Sequence, residues 1–369
     1  MQKEEQFQSK FSQLFEETFN PEENPLEQAL KRQGERYLEF EFYSEGAIKQ
    51  IHTCLDMKTG RRVAMARMKD SSNTKRKESF IREARINAAL QHPNIVPVYD
   101  VGLKNNMPWF TMKFIEGQSL GEIIEILKKG ELSHFDNLTD RLDVFVKVCD
   151  AVAYAHSRGI LHLDLKPDNI RVSEYGDVVL CEWGLADVIP SECDEPLLDV
   201  CSPSLEDFDE KTLDGTVKGT PGYMAPEQTG LIKERKGKHT DIFSLGALLY
   251  TLLTYEKAFS GESLKDVLDK TLKAEIPSTS ESSDLIPYAL EAVYTKAMSK
   301  DIKDRYQSVK ELQQEIRNFI SGFSTHAENA SFLKLMGYWV KRNQTLTAIS
   351  SFASVLFLGL LIVSLINSK

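Results

Sequence analysis

The stretch LHLDLKPDNIRVSEYGDVVLCEWGLADV, from Leu161 to Val188, decides the fold of this chain. Within it, Asp164, Lys166 and Asn169 lie close together, just before two short apolar runs that are typical of a hairpin. Glu182 follows shortly after the second of these runs. Acid, amine and amide groups gathered on the loops between apolar elements indicate a chemical site carried by a rigid scaffold.

Further motifs accompany this stretch in a fixed order. They are HPNIVPVYDVG at 92–102, GTPGYMAPE at 219–227, DIFSLGALLY at 241–250 and DRYQSVKEL at 304–312. Together with LHLDLKPDN, these segments resemble the bacterial Hanks-type serine/threonine kinase family in both sequence and order. The likeness extends over residues 36–319, which is most of the chain.

This resemblance implies an α+β fold, the two-lobed protein-kinase fold, to which the sequence adds a C-terminal transmembrane helix. We expect five segments along the chain. They are a polar N-terminal extension at 1–34, a kinase-like small lobe at 35–113, a kinase-like large lobe at 114–322, a juxtamembrane segment at 323–343 and the transmembrane helix at 344–367.

Composition narrows the class of protein further. The chain has 369 residues, is 41% hydrophobic and 27% charged, and carries a net charge of −10, which argues against nonspecific binding of nucleic acid. Its five cysteines form no CxxC pair, so we expect reduced thiols rather than a zinc site or a disulfide framework. The N-terminal residues lack the apolar run of a cleavable secretory signal.

The resemblance assigns roles to the residues of the catalytic loop. Asp164 is expected to orient the substrate hydroxyl or accept its proton, Lys166 to neutralise the transferred phosphoryl group, and Asn169 to hold a metal ion. The same three residues can also persist as scaffold after activity is lost. Leu163 replaces the arginine that commonly precedes the aspartate, so control through a phosphorylated activation loop is not expected.

The ATP side departs from the family pattern. In VAMARM, Ala64 matches the third strand, but the position of the phosphate-binding lysine falls on Ala66. Arg67 does not replace that lysine, because side chains alternate across a strand and Arg67 points to the other face. Glu83, in the motif REA, then lacks its expected partner, and Lys49 is a candidate replacement.

The glycine-rich loop is also altered. If Gly46 and Ile48 align with its end, Glu41 and Tyr43 occupy the first two glycine positions, where side chains obstruct the approach of phosphates to the backbone. Met112 is expected at the back of the nucleotide cleft. Gly46, Ile48, Ala64, Glu83 and Met112 are therefore the candidate nucleotide-binding residues.

At the metal position of the family's DFG triplet the chain has Glu182, whose side chain is one methylene longer than aspartate. Mg²⁺ demands near-ideal octahedral geometry, and a displacement of about 1 Å can lower a rate on the order of a hundredfold. ATP with Mg²⁺ is the ligand set that the resemblance implies, and these substitutions place its binding in doubt.

Three hypotheses about function follow. The first is a pseudokinase or severely weakened kinase that acts through a protein partner. The second is an active serine/threonine kinase in which Asn169 and Glu182 hold the metal and another basic side chain replaces the lysine. The third is nucleotide binding as a structural switch without phosphate transfer.

The C-terminal region contains twenty-one residues without a charge, from Leu346 to Ile366, which as a helix extend ~32 Å at ~1.5 Å per residue. Lys341 and Arg342 precede this run, with Trp339 just before them. Basic and aromatic residues in this order predict a single-pass membrane protein with its kinase-like part in the cytoplasm. A buried C-terminal helix is the alternative.

Other motif residues are expected to hold the fold. Glu227 and Arg305 should form an ion pair, Asp241 should bind the backbone of the catalytic loop, and Thr220 should bond to the region of Asp164. The segment between Gly184 and Ala225 is long and acidic, and it is either a docking site for a basic partner or a solvated insertion.

Overall fold

The computed structural model of the protein describes residues 35–70, 72–189, 219–277 and 286–367. The predicted N-terminal extension and most of the acidic segment after Gly184 lie outside these residues. By their contacts, the described residues form two compact units. Residues 35–84 and 97–114 form the first unit, and residues 85–96 with the described residues from 115 onward form the second.

The segment 85–96 belongs to the second unit, although the sequence placed it with the rest of 35–113 in the small lobe. Main-chain hydrogen bonds explain the grouping. The Val96 N–H donates to the Leu180 oxygen at 3.1 Å, and the Leu180 N–H donates to the Asn94 oxygen at 2.8 Å. The residues at the end of this segment are thereby attached to strand residues of the second unit.

The first unit is built on a five-stranded antiparallel sheet with the strand order β1-β2-β3-β5-β4. Its strands are β1 (Tyr37–Glu45), β2 (Lys49–Asp56), β3 (Arg61–Met68), β4 (Val98–Lys104) and β5 (Met107–Lys113). Helix α1 (Thr74–Ala89) follows β3.

Apolar side chains cover both faces of this sheet because alternate residues of a strand point to opposite sides. One cluster joins the sheet to α1 and contains Ala66, Met68, Phe80, Ala84 and Phe110. The cluster on the other face contains Tyr37, Cys54, Val63 and Met65. Val63 and Met65 thus alternate with Ala66 and Met68 along β3, as the pattern of a strand buried on both sides predicts.

Strands β2 and β3 pair without interruption from Lys49, opposite Met68, to Asp56, opposite Arg61. The turn that joins them contains Gly60, whose φ of 69° lies in the left-handed region that glycine enters without strain. An unbroken register fixes which side chains share a face, and this determines which residues of β2 can reach α1.

The second unit is mostly helical. Its helices are α2 (Leu120–Lys128), α3 (Leu138–Ser157), α4 (Lys238–Thr254), α5 (Leu264–Lys273), α6 (Tyr288–Ala297), α7 (Val309–Ile320), α8 (Phe332–Arg342) and α9 (Gln344–Asn367). Helices α3 and α4 contribute much of one large apolar core, and nearly all of α4 is buried.

Short strands carry the loops of the second unit. They are β6 (Gly117–Ser119), β7 (Ile160–Leu161), β8 (Ile170–Ser173), β9 (Val178–Leu180) and β10 (Asp187–Val188). Strands β6, β8 and β9 form one sheet, and β7 pairs with β10. The β8–β9 hairpin is the one that the opening sequence predicts, and it places the residues on either side of it next to each other.

Local sequence accounts for where several of these helices begin. Ser119 caps α2 by accepting a hydrogen bond from the Glu122 N–H, while the Glu122 carboxylate accepts one from the Ser119 N–H, which makes a capping box. Asn137 and Ser308 cap α3 and α7 through side-chain oxygens, which accept hydrogen bonds from the N–H groups of Thr139 and Glu311.

The predicted Glu227–Arg305 ion pair is confirmed. The guanidinium donates two hydrogen bonds to the carboxylate, from Nη1 to Oε1 at 2.8 Å and from Nη2 to Oε2 at 3.2 Å, and both side chains are fully buried. The remaining donors of Arg305 bind the main-chain oxygens of Ser299, His239 and Lys300. This one side chain therefore joins Glu227, the first turn of α4 and the segment that follows α6.

At the C-terminus, α8 and α9 are almost entirely exposed along their described side chains. Within the described residues, no single helix has the length and hydropathy needed to cross a membrane. Two consecutive helical segments, Phe332–Arg342 and Gln344–Leu360, have the required length and hydropathy when taken together. This pair is bent by 101° at its junction.

Candidate active site

The catalytic loop of the second unit holds Asp164 in a closed network of hydrogen bonds. The Thr220 hydroxyl donates to Asp164 Oδ1 at 2.7 Å, and Lys166 Nζ donates to the Thr220 oxygen at 2.6 Å. Lys166 Nζ lies 3.0 Å from Asp164 Oδ2, and the Asn169 amide donates to that same oxygen at 3.0 Å. The predicted contact of Thr220 with this loop is confirmed, and acid and amine are held side by side before any substrate is bound.

Asp241, at the start of α4, fixes the backbone of this loop. Its carboxylate accepts hydrogen bonds from the main-chain N–H groups of His162 at 2.9 Å and Leu163 at 2.8 Å, and from the His156 ring at 2.7 Å. Burial raises the pKa of Asp241, but these donors outweigh it and hold the pKa below the usual value. The role expected of Asp241 from the sequence is confirmed.

His162 is a structural residue of the site. Its Nδ1 accepts the Asp164 N–H at 3.2 Å, which leaves Nε2 to donate to the Cys181 oxygen at 3.1 Å. The ring meets the Trp183 indole edge to face, with 4.6 Å between centroids. Burial lowers the pKa of His162, so the imidazole is kept neutral and linked to the two segments on which Asp164 and Glu182 lie.

Asn169 and Glu182 are brought together by the β8–β9 hairpin, since the Cys181 N–H donates to the Asn169 oxygen at 2.8 Å. The Asn169 Nδ2 is the donor to Asp164, which leaves the amide oxygen as the atom that would face a cation. An amide oxygen and a carboxylate are hard oxygen ligands of the kind that Mg²⁺ prefers, so this donor set fits the ion. Among the described residues, no cluster of three or more His, Cys, Asp or Glu side chains is placed to hold a metal.

Two residues of this loop region have backbone angles that side chains rarely adopt. Leu163 and Glu182 both have a φ of 62°. Such left-handed conformations cost on the order of 1–3 kcal/mol for residues other than glycine, and they persist where the surroundings over-determine them. Here Asp241 and the Gln228 amide, which donates to the Leu163 oxygen at 2.7 Å, impose the conformation at Leu163.

In the first unit, Ala64 and Ala66 point to the face that α1 covers. Ala64 lies opposite Met112 of β5, and Ala66 lies opposite Phe110. Arg67 lies on the other face, where its guanidinium stacks on Phe40 at 3.9 Å from the ring centroid. The structure thus agrees with the strand alternation, and Arg67 does not approach the position that the family's lysine would occupy.

Glu83 of α1 is paired with Lys49, the first residue of β2. Both side chains are largely buried, with 12% of the Lys49 side chain and 10% of the Glu83 side chain exposed. The lysine that the sequence named as a candidate partner is therefore the one that Glu83 contacts. Ala66 stands where the family has a lysine as the partner of this glutamate. The cation that pairs with Glu83 comes instead from Lys49 on the neighbouring strand β2.

The region of the altered glycine-rich loop forms the β1–β2 turn. The Gly46 N–H donates to the Lys49 oxygen at 2.9 Å, and the neighbouring Ile48 is 41% exposed. Glu41 is turned toward Arg62, with 3.1 Å between Oε2 and Nη1, and Tyr43 meets the Phe114 ring edge to face at 5.5 Å. The assignment of Gly46 and Ile48 to nucleotide binding stays a prediction.

All the ATP-side residues named from the sequence lie in the first unit, and the catalytic and metal-side residues lie in the second. The fold of each unit is that of one lobe of a protein kinase: a five-stranded antiparallel sheet with one helix, and a helical unit that carries a catalytic loop with Asp164, Lys166 and Asn169. The folds of the two units and the residues of the catalytic loop together place this protein in the class of protein kinases.

Comparison with known proteins agrees with this class. The model of the protein kinase domain family matches residues 40–322. A serine/threonine-protein kinase PknD of Protochlamydia amoebophila is 33% identical over 302 residues, covering 79% of this chain and 30% of the relative. The PknD of Chlamydia pneumoniae is 36% identical over 300 residues, covering 78% and 31%. The chain belongs to the bacterial Hanks-type serine/threonine protein kinase family.

The match to these relatives is confined to part of their length. The PknD of Chlamydia felis, 34% identical over 298 residues, shows the same coverage, 78% of this chain and 31% of its own. The chain thus matches about a third of each relative.

Proposed function

We propose that this chain is an active serine/threonine protein kinase that transfers the γ-phosphate of ATP to a hydroxyl of a protein substrate. One observation carries the proposal: Asp164, Lys166, Asn169 and Thr220 form a network in which each side chain has a partner at 2.6–3.0 Å. Kinase catalysis consists mainly of positioning and charge neutralisation, and this network provides both on the side of the acceptor hydroxyl.

The side chains divide the work of the reaction. Asp164 Oδ2 is shared between Lys166 and Asn169, while Oδ1 accepts from Thr220, so the carboxylate is held in one orientation from which it can accept the proton of a substrate hydroxyl. The Lys166 ammonium, tied to Thr220, neutralises charge on the phosphoryl group. Mg²⁺, when held by Asn169 and Glu182, supplies further neutralisation of phosphate charge.

A second candidate function, that of a pseudokinase acting through a protein partner, is favoured by the first unit. Ala66 provides no ammonium at the family's lysine position, and Glu41 and Tyr43 stand where glycines allow phosphates to approach the backbone. The contacts of Glu41 with Arg62 and of Tyr43 with Phe114 weaken this argument, because both side chains have partners within the first unit.

Phosphate incorporation separates the two candidates. The detergent-solubilised full chain, incubated with radiolabelled ATP and either Mg²⁺ or Mn²⁺, is expected to phosphorylate serine or threonine in itself or in a mixed peptide substrate. Asp164→Asn keeps the size of the side chain but removes the proton acceptor, and we expect it to lower the rate on the order of a hundredfold or more. This variant also controls for contaminating kinases.

The opposite results are equally informative. An absence of incorporation at millimolar ATP with both metals would overturn the kinase proposal and favour a pseudokinase. A thermal shift with ATP that is not accompanied by incorporation would favour a nucleotide-dependent switch.

We propose in addition that α9 anchors the protein in a membrane, with the kinase units in the cytoplasm. The helix has 24 residues and no charged side chain, and together with α8 it forms the bent pair whose length and composition suit a membrane span. Lys341 and Arg342 at the end of α8 provide the positive flank of a cytoplasmic segment. The exposed apolar face of α8, with Phe332 and Leu333, suits a helix that lies along the membrane surface before the bend.

Membrane fractionation tests the anchor. After extraction with alkaline carbonate, the full chain is expected in the membrane pellet, because an inserted helix resists a treatment that removes peripheral proteins. A chain ending at Asn343 should move to the supernatant. Recovery of the full chain in the supernatant would contradict the proposal.

A further inference from the structure

The Lys49–Glu83 pair is a largely buried charge pair of the first unit. Taking two charges out of water is costly, and a buried ion pair is often no more stabilising than apolar residues of the same volume. The surroundings here are apolar: Lys49 Nζ lies 5.8 Å from the Phe110 ring centroid, and Ala66 beside it is fully buried. Burial of a lysine at this place therefore calls for a role beyond packing.

The strand register shows how Lys49 reaches this position. Ile51 lies opposite Ala66, and Lys49 lies opposite Met68, with no irregularity between them. Residues two apart on a strand share a face, so Lys49 is on the same side of the sheet as Ala66 and is its diagonal neighbour on the next strand. Diagonal neighbours have their Cα atoms about 7–8 Å apart, a gap that a long side chain can bridge.

Glu83 fixes where the ammonium ends. A glutamate on this helix is the ordinary partner of the kinase lysine, and Lys49 Nζ donates to Glu83 Oε1. The ammonium of Lys49 thus occupies the place beside Glu83 that a lysine at position 66 would occupy, although it starts from a different strand. An ammonium has three donors, so its geometry allows it to bind phosphate oxygens in addition to a carboxylate.

Other nearby cations of the described sheet do not fit this role. Arg67 stacks on Phe40 on the opposite face. Lys69 pairs with Glu45, whose side chain is about half exposed, at 2.9 Å. Lys49, in contrast, is paired with Glu83, the glutamate of the motif REA.

We infer that Lys49 is the phosphate-binding lysine of this kinase, transferred from β3 to β2, and that it contacts the α- and β-phosphates of ATP while Glu83 orients it. This inference rests on the proposed function. It explains how Ala66 can stand at the usual lysine position in a chain that keeps both Glu83 and a complete catalytic loop. It also gives strand β2 the role of carrying the phosphate-binding lysine, a role that the sequence of the glycine-rich loop does not indicate.

Three variants of the full chain test the assignment. Lys49→Met keeps most of the apolar stem and removes the charge, and it is expected to lower kcat/KM for ATP on the order of a hundredfold. Lys49→Met combined with Ala66→Lys returns the ammonium from the usual strand and should recover at least tenfold of that loss. Arg67→Met, which removes a cation from the other face of the same sheet, should leave kcat/KM within about twofold of wild type.

A purely structural ion pair would behave differently. In that case Lys49→Met would lower thermal stability without a specific rise in KM for ATP, and the relocated lysine would not restore kcat/KM. Either result overturns the assignment, as does a value of kcat/KM for Lys49→Met within twofold of wild type.

Binding of ATP, measured by calorimetry without turnover, separates this inference from the proposed function. If wild type binds ATP but transfers no phosphate, the kinase proposal fails; the assignment then stands if Lys49→Met abolishes binding, and falls if binding is unchanged. If wild type neither binds nor transfers, both are overturned.

Discussion

Replacement of Arg305 by methionine is expected to lower the free energy of unfolding by about 3–5 kcal/mol. The substitution leaves the Glu227 carboxylate fully buried without its guanidinium, and the Thr240 hydroxyl, which donates to Glu227 at 2.9 Å, cannot neutralise it. It also removes the donors that bind the main-chain oxygens of Ser299 and His239. Urea unfolding of the detergent-solubilised full chain, followed by tryptophan fluorescence, measures the loss.

A matched control is available on the surface of the same unit. Arg317 lies 3.4 Å from Asp150, with 49% and 40% of the two side chains exposed. Exposed pairs contribute about 0–1 kcal/mol, so Arg317→Met should change stability by less than about 1 kcal/mol. If Arg305→Met proves as mild as Arg317→Met, the buried pair does not hold these segments together as described.

Replacement of Glu182 by aspartate is expected to raise the rate of phosphate incorporation on the order of a hundredfold. The shorter side chain withdraws the carboxylate by about 1.5 Å, to the distance at which the family's aspartate binds the metal. Aspartate also tolerates the left-handed conformation better than glutamate does, and position 182 has a φ of 62°. Initial rates with Mg²⁺ as the metal measure the effect.

Glu182→Gln is the control for this gain, because it keeps the length of the side chain and removes its charge. We expect the amide variant to fall to the level of Asp164→Asn. A slower or unchanged rate for Glu182→Asp would mean that the longer acid already meets the metal in a productive geometry, and that the deficit inferred from the sequence is absent.

Much of the second unit could be predicted from the sequence, because its contacts are made by residues within short motifs. Thr220, Glu227 and Asp241 each bind the partner that the motif implies. The partners lie 56 to 78 residues apart in sequence, so it is the resemblance of the motifs to the kinase family that predicts these pairs. The β8–β9 hairpin, whose turn residue Gly176 has a φ of 81°, could be predicted from local sequence alone.

The first unit was harder to predict, because which cation reaches Glu83 depends on the register of the strands. Alternation along β3 was enough to exclude Arg67, but it could not show that Lys49 is the residue that reaches Glu83. That contact follows from the pairing of Lys49 with Met68, which the sequence does not display.

The hydrogen bonds that Asp241 accepts from His162 and Leu163 also bear on how the protein can be switched. Ordering a residue costs about 1–2 kcal/mol of conformational entropy. Because Asp241 holds the catalytic loop in the folded chain, the loop residues are ordered once, during folding. The loop need not be reassembled in each turnover. Leu163, apolar and 5% exposed, offers a phosphate group no cation, so we expect any regulation of this protein to act on elements other than the catalytic loop.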